Sequence, residues 1–126
     1  MVRVKKIFSK GMAETTSKYH SKKVIVDGIK FDSKRESERY INLKILEKAG
    51  MIKELELQKV FELQPTFKKE GKTYRKITYV ADFFYYDNHL KRYIAEDVKG
   101  YKTEVYKIKK KMFEYVYPNL ELFEVK

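Results

Sequence analysis

Cysteine is absent from this 126-residue chain, and so are long apolar runs. The lack of cysteine excludes disulfides, thiolate metal ligands and a cysteine nucleophile, and it is consistent with a reducing cytosol. No segment approaches the roughly 18 consecutive apolar residues of a membrane span. The basic N-terminal stretch also lacks the apolar run that marks a signal peptide. We therefore expect a soluble, intracellular protein with no membrane partner.

Motifs that read DNA sequence are missing as well. No zinc finger or helix-turn-helix is visible, and His20 and His89 are isolated residues without metal-ligand spacing. What the chain has in excess is positive charge, with 29 Lys and Arg against 18 Asp and Glu and a formal net charge of +11. On one small domain this excess favours a polyanionic partner, with nucleic acid as the leading candidate.

The chain divides into a short arm and one folded unit. Residues 1–22 are basic and lack periodicity, so we predict a flexible arm there, followed by a single nuclease-like domain over residues 23–126. Asp27-Gly28 stands between two β-branched runs, which predicts an N-terminal β-hairpin.

End signals and apolar spacing predict two helices. The first begins after Ser33, carries Glu36 at the capping-box position and ends at Gly50. The second covers residues 103–118 and is ended by Pro118. The predicted apolar stripe of the second helix is Val105, Ile108, Met112 and Val116.

Extended segments fill most of the remaining chain. Strands are predicted over residues 52–67, 73–86 and 91–100, with a short last strand over residues 120–125. The order is hairpin, helix, three strands, helix, strand. This order predicts an α/β fold in which two helices flank a mixed β-sheet.

Two aspartates fall on neighbouring strands of this predicted sheet. Asp82 and Asp97 share a face for any connecting loop with an even number of residues, because facing alternates along each strand. With a two-residue turn at 88–89, Asp97 would lie opposite Val80, and Asp82 would be its diagonal neighbour at roughly 6–8 Å. Lys99 would point the same way as Asp97.

This combination of side chains indicates a particular chemistry. Two nearby carboxylates repel each other unless a cation lies between them. Oxygen ligands without His or Cys suit Mg²⁺ or Mn²⁺ rather than zinc. An adjacent ammonium group can orient a water molecule or stabilise charge on a phosphate. The pattern therefore indicates metal-dependent phosphodiester hydrolysis, and the alternative is an ordinary cross-strand mixture of Asp and Lys on a surface.

The order of these residues resembles the PD-(D/E)XK nuclease superfamily over about Val24 to Val125. An acid in the first helix is followed by an aspartate on a strand, and then by Asp-Val-Lys on the paired strand before a second helix. The stretches FDSKRE, LELQ, ITYVADF and EDVKG are also similar to small phage-associated endonucleases and Holliday-junction-resolvase-like proteins of that superfamily. Ala81 stands where the name-giving proline would be. The resemblance implies a restriction-endonuclease-like core.

The resemblance also implies residue roles. The catalytic residues would be Asp82, Asp97, Lys99, Glu36 and Gln58. The metal site would use Asp82, Asp97, Glu36 and Val98. Glu36 is explained equally well by its capping box, and Glu38 is the alternative acid.

Lysines just beyond the motif are positioned to contact phosphates next to the scissile bond. They are Lys102, Lys107, Lys109, Lys110 and Lys111. Because no base-reading module is present, we expect recognition of DNA shape, such as a branch or Holliday junction, and a symmetric branch would require a homodimer. The resulting expectation is a Mg²⁺- or Mn²⁺-dependent DNA endonuclease of phage recombination or replication, acting in the bacterial cytoplasm. The alternative is a non-catalytic nucleic-acid-binding protein that retains the fold.

Overall fold

A computed structural model describes residues 23–98 and 102–125 of the chain. The predicted arm at 1–22 and the candidate catalytic residue Lys99 lie outside these ranges. The secondary-structure elements, in chain order, are β1 (Val24–Val26), β2 (Ile29–Phe31), α1 (Lys34–Lys48), β3 (Ile52–Gln64), β4 (Phe67–Lys69), β5 (Lys72–Tyr74), β6 (Ile77–Asp87), β7 (Arg92–Val98), α2 (Glu104–Val116) and β8 (Glu121–Val125).

The N-terminal hairpin forms where the sequence predicts it. Strands β1 and β2 pair in antiparallel fashion. Asp27 and Gly28 between them have φ values of 54° and 77°, and two successive positive φ angles are the mark of a type I′ turn, which matches the twist of the flanking strands. The hairpin prediction is confirmed.

Both ends of α1 are closed by the predicted residues. Ser33 Oγ accepts a hydrogen bond from the Glu36 amide at 3.1 Å, which satisfies one free donor of the first turn. At the other end Gly50 has a φ of 80°. The amides of Gly50 and Met51 donate to the carbonyls of Glu47 and Leu46 at 3.1 and 2.9 Å. This pair of hydrogen bonds is a Schellman motif.

The main sheet has four strands in the order β3-β6-β7-β8. Strands β3, β6 and β7 are antiparallel neighbours, whereas β8 runs parallel to β7. Helix α2 supplies the crossover that a parallel pair requires. The protein is therefore a mixed α/β domain with two helices and an N-terminal hairpin, as predicted from the element order. No helix within residues 23–98 and 102–125 is long and apolar enough to cross a membrane.

Hydrophobic residues form two cores on opposite faces of the sheet, because neighbouring residues of a strand point to opposite sides. The α1 core contains Phe31, Tyr40, Leu43, Ile52, Leu55, Leu57, Phe83, Tyr85 and Ile94. The α2 core contains Phe61, Leu63, Tyr79, Ala81, Phe84, Ala95, Tyr106, Phe113 and Leu122. One helix thus covers each face.

The apolar stripe predicted for α2 is confirmed only at Met112, which packs against the α2 core. Val105 and Ile108 are 62% and 59% exposed, whereas Tyr106 and Phe113 are buried. The Phe113 ring contacts the ring of Phe61 with centroids 5.0 Å apart. Aromatic side chains bury more apolar area than valine or isoleucine, so the helix turns its aromatic side towards the sheet.

Two of the predicted strands are each divided in two. The segment 52–67 separates into β3 and β4 at Gln64, and the segment 73–86 separates into β5 and β6. Strands β4 and β5 pair only with each other, as a second small hairpin. Pro65 lies at the first break and has no amide hydrogen for a sheet ladder.

Candidate functional site

Three carboxylates lie side by side across the sheet, and we call Asp82, Asp97 and Glu124 the carboxylate row. The last pair of the β6–β7 ladder joins Phe83 to Glu96. Just beyond it, the Asp82 amide lies 3.4 Å from Asp97 Oδ1, and the Val98 amide donates to Asp82 Oδ2 at 2.9 Å. In the parallel ladder Asp97 is the partner of Glu124. Strands β6, β7 and β8 therefore each contribute one acid to the same row.

The β6–β7 register differs from the predicted one and brings Asp82 closer to Asp97. The ladder begins at Asp87 and Arg92, so the connecting loop has four residues rather than the two assumed at 88–89. The loop length is even, as the prediction that the two aspartates share a face requires. The predicted pairing of Asp97 with Val80 is wrong, because the observed register pairs Glu96 with Phe83, two positions from the predicted partner.

Asp82 is fixed by hydrogen bonds to both of its carboxylate oxygens. Gln58 Nε2 donates to Oδ1 at 3.2 Å, and the Val98 amide donates to Oδ2 at 2.9 Å. The Asp82 amide in turn approaches Oδ1 of Asp97 at 3.4 Å. Asp97 is only 1% exposed. The structure thus brings together Gln58, Asp82, Asp97 and Val98, four of the residues that the resemblance selected.

Strands β3 and β6 change their facing at this site. Leu57 belongs to the α1 core and Phe61 to the α2 core, although regular alternation would put them on one face. Phe83 and Ala81 differ in the same way. Between Leu57 and Phe61, Gln58 has a φ of 54°, in a left-handed region that costs a residue with a side chain about 1–2 kcal/mol. Such strain often accompanies functional positions.

Glu124 is a site residue that the sequence analysis missed. Tyr106 Oη donates to Glu124 Oε2 at 2.6 Å, and Lys102 Nζ lies 2.9 Å from Oε1. These two hydrogen bonds, with that from Tyr106 the stronger, lower the pKa of Glu124. Burial, followed by the hydrogen bond to Glu124 and the charge of Asp97, raises the pKa of Tyr106. Alternation along the last strand predicts that Glu124 faces the same way as Leu122, but the parallel pairing with β7 that brings it beside Asp97 has no signal in the sequence.

The candidate acids of α1 have different surroundings. Glu36 is 6% exposed and lies in the first turn of the helix, where its amide completes the Ser33 cap. Glu38 is exposed. Burial therefore favours Glu36 over Glu38 as a residue that faces the protein interior.

Glu96, the neighbour of Asp97, points to the opposite face and ties α1 to the sheet. Arg39 donates to it through Nε at 2.8 Å and Nη2 at 2.5 Å, and the Tyr85 hydroxyl also donates to it. The bond to Glu96 raises the pKa of Arg39. Glu96 is 0% exposed, and its contacts explain it as a structural anchor.

Four of the five candidate phosphate-binding lysines border one surface cleft of about 450 Å³, which we call the α2 cleft. The cleft is lined by Lys102, Tyr106, Lys107, Lys110, Lys111, Glu114 and Glu124. Lys107 and Lys110 also pair along the helix with Glu104 and Glu114, at 3.2 and 3.3 Å. Lys109 lies half-buried on the same helix. The cleft places positive charge next to Glu124, at one end of the carboxylate row.

The donor set fits a hard divalent cation. Within residues 23–98 and 102–125, no group of three or more His, Asp or Glu side chains has the geometry of a metal site. Mg²⁺, however, is usually held by one or two carboxylates, with water and substrate phosphate completing its shell. Asp82 and Asp97, opposed on adjacent strands, provide such a pair. Val98, the fourth candidate metal ligand, donates its amide hydrogen to Asp82 in the structure.

The fold and the site together define a class: a small mixed α/β domain with opposed carboxylates on neighbouring strands beside a lysine-lined cleft. Over residues 16–126 the chain matches a family described as "Protein of unknown function (DUF1064)", and it belongs to that family. No curated protein matches it, and no solved structure does.

Proposed function

We propose that this protein is a metal-dependent DNA endonuclease built on a restriction-endonuclease-like core. The observation that carries the proposal is the closeness of Asp82 and Asp97 on neighbouring strands, where the Asp82 amide lies 3.4 Å from Asp97 Oδ1 and Gln58 donates to Asp82 at 3.2 Å. Like charges at neighbouring strand positions destabilise a sheet. An arrangement that keeps them together on a domain with net charge +11 is explained by a cation between them. The resemblance to PD-(D/E)XK nucleases, quoted above from the residues, supports the same chemistry.

The chain's own residues have distinct roles in this proposal. Asp82 and Asp97 hold the ion, with Glu36 as a further acid near the helix start and Val98 as a backbone neighbour. Gln58 and the Val98 amide fix the orientation of the Asp82 carboxylate, so the site is organised before substrate binds. Lys99, the next residue after Val98, supplies an ammonium group that stabilises charge on the phosphate.

Hydrolysis itself needs little covalent help from the protein. A water oxygen forms a bond to phosphorus, one phosphorus–oxygen ester bond breaks, and the leaving oxygen takes up a proton. Mg²⁺ or Mn²⁺, when bound, supplies Lewis-acid chemistry that polarises a phosphoryl oxygen and offsets the developing charge. The lysines of the α2 cleft, including Lys102 and Lys107, bind phosphates beside the cut.

The substrate we propose is DNA recognised by shape. Phosphate contacts position a protein on DNA but carry no sequence information, and the lysine-lined cleft is suited to such contacts. A Holliday junction or similar branch is the preferred candidate, cut by a homodimer, because two strands must be cleaved and each chain has one carboxylate row. On the likeness to phage-associated proteins, we place the activity in phage recombination or replication in the cytoplasm of a bacterial host.

A cleavage assay tests the proposal. The protein is incubated with supercoiled plasmid, a four-way junction and a linear duplex, in Mg²⁺, Mn²⁺ or EDTA. Asp97→Ala and Lys99→Ala are compared with Glu62→Gln, which removes an exposed carboxylate of β3 and serves as the control. We expect metal-dependent cutting by the wild type and the control, and a loss of at least about a hundredfold in both site variants.

The alternative outcomes are equally clear. Binding to DNA without cleavage in every metal condition would favour the non-catalytic binding protein. Equal nicking by the wild type and both site variants would reveal a contaminating nuclease and remove the support for the site. Preferential cleavage of the junction over the duplex would support structure-selective recognition.

A further inference from the structure

The β4–β5 hairpin, which we call the wing (residues 67–74), stands apart from both hydrophobic cores. All six of its strand residues are exposed. It connects the end of β3 to the start of β6, and at its base the Lys76 amide donates to Thr66 Oγ1 at 3.0 Å. A two-stranded hairpin is at best marginally stable in water by itself. Its order must therefore come from its turn and its side chains.

The turn and an aromatic pair hold the wing together. Glu70 and Gly71 have φ values of 51° and 77°, which again give a type I′ turn. Phe67 and Tyr74 are directly opposed in the register. Their rings stack with centroids 4.8 Å apart and planes within 10°, yet the two residues are 40% and 38% exposed.

The same face of the wing carries an electrostatic conflict. Lys69 is directly opposite Lys72, and like charges in this position destabilise a hairpin. Lys72 Nζ lies 5.1 Å from the centre of the Tyr74 ring. Near the turn there is one acidic side chain, Glu70, and there are five basic side chains. These cations are Lys68, Lys69, Lys72, Arg75 and Lys76.

We propose that the wing is a DNA-backbone contact, which binds phosphates at a distance from the carboxylate row. A row of phosphates would relieve the repulsion between Lys69 and Lys72, and counterion release would drive the contact. The exposed rings of Phe67 and Tyr74 offer an apolar surface to the sugar edge beside those phosphates. The inference rests on DNA being the substrate of the proposed function, and it adds a second contact region to the α2 cleft.

The chain fixes the separation between the wing and the row. Within β6, Asp82 lies five residues after Ile77, the first residue of the strand, or about 16 Å along it at a rise of about 3.3 Å per residue. Phosphates of one strand are spaced by about 3.4 Å along the duplex axis. The wing therefore contacts DNA about five or more base pairs from the cut, and duplexes shorter than this reach lose its contribution.

The test measures binding without cleavage. Fluorescence anisotropy in EDTA follows a labelled 20-base-pair duplex, a single strand of the same length and a four-way junction, over a series of salt concentrations. The wing variant Lys68→Gln/Lys69→Gln/Lys72→Gln is compared with the control Lys34→Gln/Lys44→Gln/Lys48→Gln, which removes the same charge from α1. Circular dichroism confirms that both variants are folded.

We expect the wing variant to bind the duplex at least about tenfold more weakly at 0.1 M salt, with a slope of log K against log salt smaller by about 2 to 3. The control should stay within about twofold of wild type. Equal losses in both variants, or no loss in the wing variant, would overturn the inference. So would wing-dependent binding to anionic lipid vesicles with no effect on DNA. Wing-dependent DNA binding by a wild type that never cuts would uphold the wing and refute the endonuclease.

Discussion

Replacing Asp97 with asparagine should make the metal-free protein more stable. Asp82 and Asp97 follow the Phe83–Glu96 pair on adjacent strands. Cross-strand neighbours have Cβ atoms about 5 Å apart, so we take the two charges to be about 6 Å from each other. At an effective dielectric constant of about 20 their repulsion is about 3 kcal/mol. Glu124, on the other side of Asp97, adds to it.

Part of this repulsion is already offset in the native protein. Lys102 neutralises Glu124 at 2.9 Å, and two donors bond Asp82. We therefore expect Asp97→Asn to raise the free energy of unfolding in EDTA by about 1–2 kcal/mol, or about 3–8 °C in Tm. An increase in the free energy of unfolding would point to a local effect, because removing an acid from a chain of net charge +11 increases the overall repulsion and should by itself destabilise the protein.

Differential scanning calorimetry in EDTA and in 10 mM Mg²⁺ provides the assay, with Glu62→Gln as the charge-matched control. Mg²⁺ should stabilise the wild type by about 2.7 kcal/mol when present at a hundred times its Kd, and it should stabilise Asp97→Asn much less. A variant that is less stable than wild type in EDTA, while the control is unchanged, would refute the electrostatic reasoning. Equal stabilisation of both proteins by Mg²⁺ would remove Asp97 from the metal site.

Three further predictions concern stability. Arg39→Met should lower the free energy of unfolding by about 3–4 kcal/mol in urea titrations, because it leaves the 0%-exposed Glu96 charged and poorly paired. Burial and the hydrogen bond to Asp27 raise the pKa of Tyr40 to about 12. The raised pKa gives a stabilisation that is full below pH 10 and is lost towards pH 12, so Tyr40→Phe should flatten the stability profile measured by urea titration across that range. Lys91 has a φ of 59°, and Lys91→Gly should raise the Tm, with a gain of about 0.5–1 kcal/mol.

Matched variants separate these effects from general charge or flexibility changes. Lys44→Met removes an exposed cation from α1 and should cost less than about 1 kcal/mol. Lys44→Gly places glycine in a helix interior and should cost about 1 kcal/mol, opposite in sign to the change at Lys91. A loss below about 1 kcal/mol for Arg39→Met would contradict the anchor role of Glu96. If the stability of Tyr40→Phe depended on pH in the same way as that of wild type, the contribution assigned to the Tyr40 hydroxyl would be wrong. If Lys91→Gly were less stable than wild type, the strain assigned to the Lys91 backbone would be wrong.

Local signals explain the parts of the fold that the sequence predicted well. The limits of α1 follow from Ser33 and Gly50, whose capping interactions involve only nearby residues. The prediction that Asp82 and Asp97 lie close together needed only the pairing of β6 with β7 across an even loop, a condition that the four-residue loop satisfies. Such features depend on a few adjacent positions and leave a readable pattern.

Features that depend on residues far apart in the chain could not be predicted from the sequence. The buried side of α2 is chosen by the ring of Phe61, about fifty residues from Phe113, and apolar spacing alone pointed to the other side. Glu124 joins the row through parallel pairing with β7, which no pattern in the last strand specifies. The left-handed backbone at Gln58 carries no residue signature, since glycine or asparagine would be usual there.

The two separate cores have a consequence for partial unfolding. The α2 core is closed by the C-terminal helix and by β8 at the sheet edge, whereas the α1 core is locked by the Arg39–Glu96 bond. Detachment of the C-terminal segment would uncover Asp97 without releasing α1. Amide hydrogens of that segment would then exchange with solvent sooner than those of α1, so the two faces of one sheet would differ in local stability.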